Sequence, residues 1–295
     1  EKSLIEKREP KSSFFSSLEH FLENVFDFNS EHLQIIFSGQ FKNISKDFFH
    51  QSRRFDPQLS AEAIYQGLRN VWIMNGLQLL MGLPVIMTPS VFAYSMIYPY
   101  SDNYLDDPSV SENDKEIFNE RFNNKLHGEH LVPESPTEEK LYKLVDMIEK
   151  QYPRKEYPEE WESLYAIQQG QTNSLQLIND KSLSRMELLS VSFEKGGASV
   201  LADGYLVAGK LNAEQEKALF GYGVYLQLLD DIQDLKEDFN TETKTLFTSL
   251  TNDKRNTFVN QTVHFGRQTM SEMHCFKKRE TSSFLKLMNQ SIETM

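Results

Sequence analysis

Apolar residues recur along the chain at spacings of three and four rather than two. Phe14, Leu18, Phe21, Leu22 and Val25 fall on one helical stripe. Leu141, Leu144, Val145 and Ile148 fall on a second, and Leu183, Met186, Leu189 and Phe193 on a third. Strand-like alternation bounded by turn pairs is nearly absent. The pattern predicts an all-α fold of roughly ten or more helices. Pro84 and Pro89 interrupt an apolar stretch, which predicts two helices with a turn near Pro84. Residues 131–136 read as a loop, with Thr137 as N-cap before Glu138 and Glu139. Tyr152-Pro153 and Tyr157-Pro158 mark a second loop, and Gly196-Gly197 predicts a kink or split in a long helical pattern. No Gly-Ser linker, low-complexity tract or repeat divides the chain, so one α-helical domain over residues 1–295 is expected.

Not one charged residue occurs from Asn70 to Ser101, a run long enough to span a bilayer. It carries Asn75, Gln78, Thr88, Ser90 and Ser95 together with Pro84, Pro89 and Pro99. Those residues favour two buried core helices over an integral membrane segment.

The net charge of −12 changes the picture of partners, because an acidic surface repels phosphate backbones and argues against nucleic acid. Cys275 is the single cysteine, so no intrachain disulfide forms, and a reducing, cytoplasmic setting is the simplest expectation. Of the seven histidines, His264 and His274 lie ten apart with no metal pattern near them and read as surface or capping residues. No phosphate-binding P-loop, dinucleotide fingerprint or serine nucleophile elbow occurs.

Two acidic clusters carry the candidate chemistry. Asp102 and Asp106 lie four apart at the end of the uncharged run. On a helix they share one face, and like charges at that spacing destabilise it unless a cation neutralises them. Asp230, Asp234 and Asp238 are spaced by four and four, with Gln227 continuing the stripe upstream and leucines and Ile232 on the other faces. A helix apolar on several sides with carboxylates in line is expected to be buried, with the stripe facing a cavity. Hard oxygen ligands of this kind suit Mg²⁺. One such cluster alone is most simply a solvated face. Two, each joined to an apolar helix, point instead to facing helices that trap a diphosphate through Mg²⁺.

The run Asp102-x-x-x-Asp106 together with Gln227-x-x-Asp230-Asp231-x-x-Asp234 resembles the two aspartate-rich motifs of the class I isoprenoid (terpene) synthase superfamily. Within it, class I terpene cyclases and trans-prenyl diphosphate synthases are the nearest in pattern. The resemblance runs from about Asn70 to Thr248. Asp230, Asp234 and Asp238 also match the three ligand positions of the cyclase metal motif, which usually reads Asn/Asp, Ser/Thr, Glu; here all three are Asp. The resemblance implies a helical bundle around a central apolar cavity. It further implies three Mg²⁺ ions held by Asp102, Asp106, Asp230, Asp234 and Asp238, and an acyclic C15–C25 prenyl diphosphate as substrate. Ionisation would leave an allylic cation, which aromatic faces stabilise by roughly 2 kcal/mol or more when desolvated. Homodimers are frequent among such enzymes.

The resemblance also implies cations for the departing diphosphate. Arg185, 45 residues before Asp230, matches the separation of a diphosphate-sensing arginine. Lys195 precedes the glycine pair, where relatives break a helix, and Lys244 follows the second motif by a short loop. Arg69 and Asn75 are weaker candidates. Gln227 would line the cavity or hold an Asp. Tyr98, one turn before Asp102, would floor a shallow pocket. For Lys195, Lys244 and Tyr98, surface placement or ordinary packing is an equal alternative. Chain elongases bind a second diphosphate through a Gly-Gly-Lys stretch and an Arg-Arg pair just after the first motif. Here no arginine follows Asp107 until Arg121, and Arg53-Arg54 lacks the glycines. The expected activity is therefore terpene cyclase, with an elongating or squalene-type prenyltransferase as the alternative. A helical Mg²⁺-dependent pyrophosphohydrolase or a non-enzymatic scaffold is more distant.

Overall fold

A computed structural model describes residues 20, 22–25, 27–105, 107–179, 183–241, 243–276 and 281–294. Among them are twelve α-helices and no strand. These are α1 (Ser30–Ile36), α2 (Gly39–Phe55), α3 (Ala61–Leu80), α4 (Pro89–Leu105), α5 (Glu112–Leu126) and α6 (Pro136–Gln151). Then come α7 (Pro158–Asn179), α8 (Arg185–Ala208), α9 (Ala213–Gln233), α10 (Leu235–Asn240), α11 (Asn252–Glu272) and α12 (Ser282–Thr294). A 3₁₀ turn, Met273–Phe276, follows α11. No helix among the described residues is long and apolar enough to cross a membrane.

Local chemistry sets most helix starts. Side-chain oxygens of Asn29, Ser38, Ser60, Ser111, Ser135, Ser184 and Asn212 accept the otherwise unpaired N–H of the first turn. Ser184 with Glu187 and Asn212 with Gln215 close reciprocal capping boxes on α8 and α9. Ser135, not Thr137, caps α6. Pro136 lacks an N–H and fits the first helical position, so Ser135 Oγ can accept from Glu138 N at 3.1 Å. The turn expected near Pro84 is present: α3 ends at Leu80, Gly82 takes φ +65°, and Pro89 opens α4.

The stripe Leu141, Leu144, Val145 and Ile148 is wholly buried on α6. Each such side chain contributes about 1.5–3 kcal/mol by leaving water. The third stripe is not the buried one. Met186 is 74% and Phe193 36% exposed, while the inward face of α8 is Leu188, Ser192 and the glycine pair. Of the first stripe, Phe14, Leu18 and Phe21 lie outside the described residues, and Val25 is exposed.

Helix α8 runs through the middle of the bundle, packed against α7, α9, α3 and α4. Gly196-Gly197 does not split it. The pair lets two backbones approach: a Cβ on Gly223 of α9 would collide with the Gly196 carbonyl, and one on Gly197 with the Phe220 ring. The C-terminal end of α8 is tied down by Ser90 Oγ and Tyr152 OH, which both donate to Leu206 O at 3.0 Å.

Candidate active site

The second acidic cluster straddles the end of α9. Asp234 caps that helix, and the helical ladder continues through it: Asp234 N donates to Asp230 O and Asp238 N to Asp234 O, both at 2.9 Å. Asp230, Asp234 and Asp238 therefore stay in line across the junction with α10. Asp230 and Asp234 are exposed and Asp238 is half-buried. The stripe opens to water at a rim, whereas the sequence pattern leads one to expect it buried and facing a cavity. The tight α8–α9 crossing buries the neighbouring face instead. There Asp231, 6% exposed, accepts from Gln227 Nε2 at 2.9 Å and from Ser192 Oγ at 3.3 Å. Gln227 thus holds an aspartate, one of its two expected roles.

Charge around the stripe is unbalanced in a telling way. Surrounding helices strip water from part of the otherwise exposed Asp230 carboxyl and, with Asp234, raise it, while Lys195 of α8 and Arg69 of α3 pull it down. Burial, then Asp234, Asp230 and Glu237, pushes Asp238 up to about 6 against Lys195. Burial pushes Asp231 up to about 6 as well, with Asp230 and Asp238 adding to it against Gln227 and Ser192. Members of the stripe thus repel each other, and Lys195 and Arg69, from two other helices, lie near enough to Asp230 to offset part of that repulsion.

Asp102 sits half-buried near the end of α4. Its Oδ1 accepts from Gln171 Nε2 of α7 at 3.1 Å and from Ser101 Oγ at 3.2 Å. One turn earlier, Tyr98 OH bonds Ser199 Oγ of α8 at 2.8 Å and Tyr94 OH at 3.0 Å. Next to Gln171, Gly170 packs on the Lys195 backbone, and one residue after Lys195, Gly196 packs on Gln227. Both motifs therefore adjoin the same stretch of α8, residues 195–199. Asp106 lies outside the described residues.

The other expected cations are placed differently. Arg185 is the exposed first residue of α8. At about 1.5 Å per residue it stands roughly 15 Å of helix away from Lys195. Lys244 is half-buried in the loop after α10, where Thr243 N donates back to Asp238 O at 2.9 Å. A void of about 30 Å³ adjoins Asp102, lined by Tyr94, Ile97, Tyr98, Leu126, Ile167 and Gln171 among others. That is room for a water or two, not for a prenyl chain.

Sequence reasoning missed a buried polar core beside this void. Asp203 of α8 is fully buried, accepts from Asn70 Nδ2 at 3.1 Å, and leaves its second oxygen without a hydrogen-bond partner. Burial raises its carboxyl well above the usual range, and burial followed by the Asp203 charge raises Tyr98. The available signal was a lone acid in the apolar run Ala198–Ala208.

No three His, Cys, Asp or Glu side chains among the described residues stand together as a finished metal cage. Mg²⁺ does not demand one. It keeps waters, takes one or two carboxylates and completes its shell with substrate phosphate oxygens. The like-charged, hard-oxygen stripe of Asp230, Asp234 and Asp238 fits that ion.

No protein-family model matches the sequence, and a search of curated proteins returns no match. Among solved structures, a geranyltransferase from Legionella pneumophila aligns with a TM-score of 0.50 over 96% of this chain and 95% of that one, at 14% sequence identity. The likeness is one of fold. The chain has an all-α, isoprenoid-synthase-like fold.

Proposed function

We propose that the chain is a Mg²⁺-dependent terpene synthase that ionises an acyclic prenyl diphosphate and releases diphosphate as the hydrocarbon closes. The carrying observation is the line of Asp230, Asp234 and Asp238 kept across the junction of α9 and α10, with Lys195 and Arg69 near enough to act on the Asp230 charge. Asp102 and Asp106 would hold metal from the α4 side, and Asp230, Asp234 and Asp238 from the α9 side. When bound, Mg²⁺ supplies Lewis-acid stabilisation to the diphosphate oxygens. Lys195 and Arg69 donate to the same oxygens as the carbon–oxygen bond breaks, with Arg185 and Lys244 as outer cations. Gln171 and Gln227 orient Asp102 and Asp231 through their amide donors. Tyr94, Ile97, Tyr98 and Ile167 present rings and aliphatic groups toward the hydrocarbon, and the proposal requires this lining to part when substrate enters.

A single diphosphate site favours cyclisation over elongation. Arg53 is committed to the carbonyls of Pro57 and Leu59, and Arg121 to Glu138, Glu134 and Val132 O. Neither is left to hold a second diphosphate. The neighbour, a geranyltransferase by name, supports the second reading, a prenyltransferase. Incubation with C10, C15, C20 and C25 prenyl diphosphates and Mg²⁺, with and without isopentenyl diphosphate, separates the two. Cyclic hydrocarbon from one substrate alone is expected. Product only with isopentenyl diphosphate would move the chain to the prenyltransferases, and no diphosphate release under any condition would end both readings.

A further inference from the structure

Away from the aspartates, α1, α2, α3 and α12 enclose an apolar groove of about 920 Å³. That volume lies within the roughly 300–1,000 Å³ range of ligand sites, which pair apolar walls with a few placed polar groups. Its walls include Ile36, Phe41, Phe49, Leu68, Trp72 and Phe284. Ile36, Phe49 and Trp72 are 36%, 42% and 39% exposed, so the apolar lining meets water. Water-exposed aromatic and aliphatic groups gathered in one concavity mark an interaction site rather than ordinary surface.

The rim supplies the other half of the recognition. Lys42, Lys46 and His50 line the groove from α2, at spacings of four and four on one helical stripe. This basic row stands on a chain whose net charge is −12. Ser38 and Ser45 add hydroxyls beside it, and Trp72 Nε1 donates to Ser45 Oγ at 3.0 Å, which fixes the indole as one wall. Cations at the lip and hydrocarbon within complement a molecule with one anionic head and one apolar tail.

We infer that this groove is a binding site for a free single-chain anionic amphiphile, with its head on the Lys42–Lys46–His50 row and its tail against Leu68, Trp72 and Phe284. The site is separate from the acidic stripe and needs no Mg²⁺. Its ligand need not be the substrate of the proposed reaction.

Tryptophan emission tests this directly. Of the two tryptophans, Trp72 lines the groove, while Trp161 is 1% exposed and covered by Arg154. The full chain, in EDTA, is titrated with dodecyl phosphate below its micelle concentration. A saturable blue shift is expected. Decyl phosphate should bind roughly tenfold more weakly, from two lost methylenes. Lys46→Glu, at an exposed position, should weaken binding several-fold while its circular-dichroism melt stays unchanged, and Asp230→Asn should leave the titration as it was. Four results would overturn the inference: no saturable shift, equal binding of dodecyltrimethylammonium, indifference to Lys46→Glu, or a response to phosphatidylglycerol vesicles alone. The last would make the surface a membrane contact. Because metal is absent throughout, failure here leaves the proposed reaction standing, and failure of that reaction leaves this titration interpretable.

Discussion

Replacing Glu160 by Gln probes how the helix that carries Gln171 is anchored. Glu160 lies in the first turn of α7, is 0% exposed, and finds no hydrogen-bond partner from another residue for either carboxyl oxygen. Burial, reinforced by Glu159 and opposed by its own backbone N–H and by Lys210, pushes the carboxyl up to about 7 from an ordinary 4.5. The folded chain therefore keeps a proton that the unfolded chain releases. The neutral form's stabilisation is complete below about pH 4.5, falls as pH rises toward about 7, and is gone above that. The gap corresponds to roughly 3 kcal/mol at most, of which about 2 to 3 kcal/mol separates pH 5 from pH 8. Gln has nearly the same shape and no charge to bury. Urea unfolding of both proteins at pH 5 and pH 8 reads the difference. The variant should gain about 2 to 3 kcal/mol on wild type between the two pH values. Other titrating groups cancel in that comparison. Parallel behaviour at both pH values would refute the reasoning, since it would mean the Glu160 carboxyl ionises normally in the folded protein.

Asp102→Ala and Asp234→Ala should each lower diphosphate release by about two orders of magnitude or more, in a coupled pyrophosphate assay, with little change in melting temperature. Retained release in both would remove the site assignment. Gly223→Ala places a methyl against the Gly196 carbonyl and should cost roughly 1–3 kcal/mol by calorimetry, or more if α8 and α9 cannot separate. Arg121→Ala leaves Glu138, whose side chain is 5% exposed, without its main partner, and should cost about 3–5 kcal/mol in urea unfolding. Burial first, and like charge after it, pushes Asp238 up to about 6, so protons compete there with Mg²⁺. The rise in melting temperature on adding Mg²⁺ should be larger at pH 8 than at pH 5, and an equal rise would contradict the metal assignment.

What the sequence made legible was whatever local spacing controls. The α6 stripe, the break before Pro89 and the four-and-four aspartates all follow from helix periodicity and from the chemistry of proline. Decisions made by distant partners were not legible. The Leu183–Phe193 stripe has helical spacing, yet α8 turns its glycines inward because α9 must approach within backbone contact. Local sequence gives no means of choosing between those faces. Gly196-Gly197 reads as a break for the same reason: a helix tolerates glycine when another backbone fills the space. Asn70 and Asp203, and Arg69 and Asp230, lie more than 130 residues apart. Their proximity depends on α3 packing against α8, which no periodicity encodes. The Thr137 cap fails on a smaller scale, because Pro136 moves the helix start two residues earlier.

Asp102 on α4 and Asp230 on α9 are proposed to serve one magnesium diphosphate beside residues 195–199 of α8. A crystal structure grown with Mg²⁺ and an unreactive prenyl thiodiphosphate tests it most directly. Metal density is expected to bridge the thiodiphosphate to carboxylates of both motifs, with Lys195 and Arg69 on the same oxygens. Thiodiphosphate bound elsewhere, or metal on one motif with the other left in water, would contradict it.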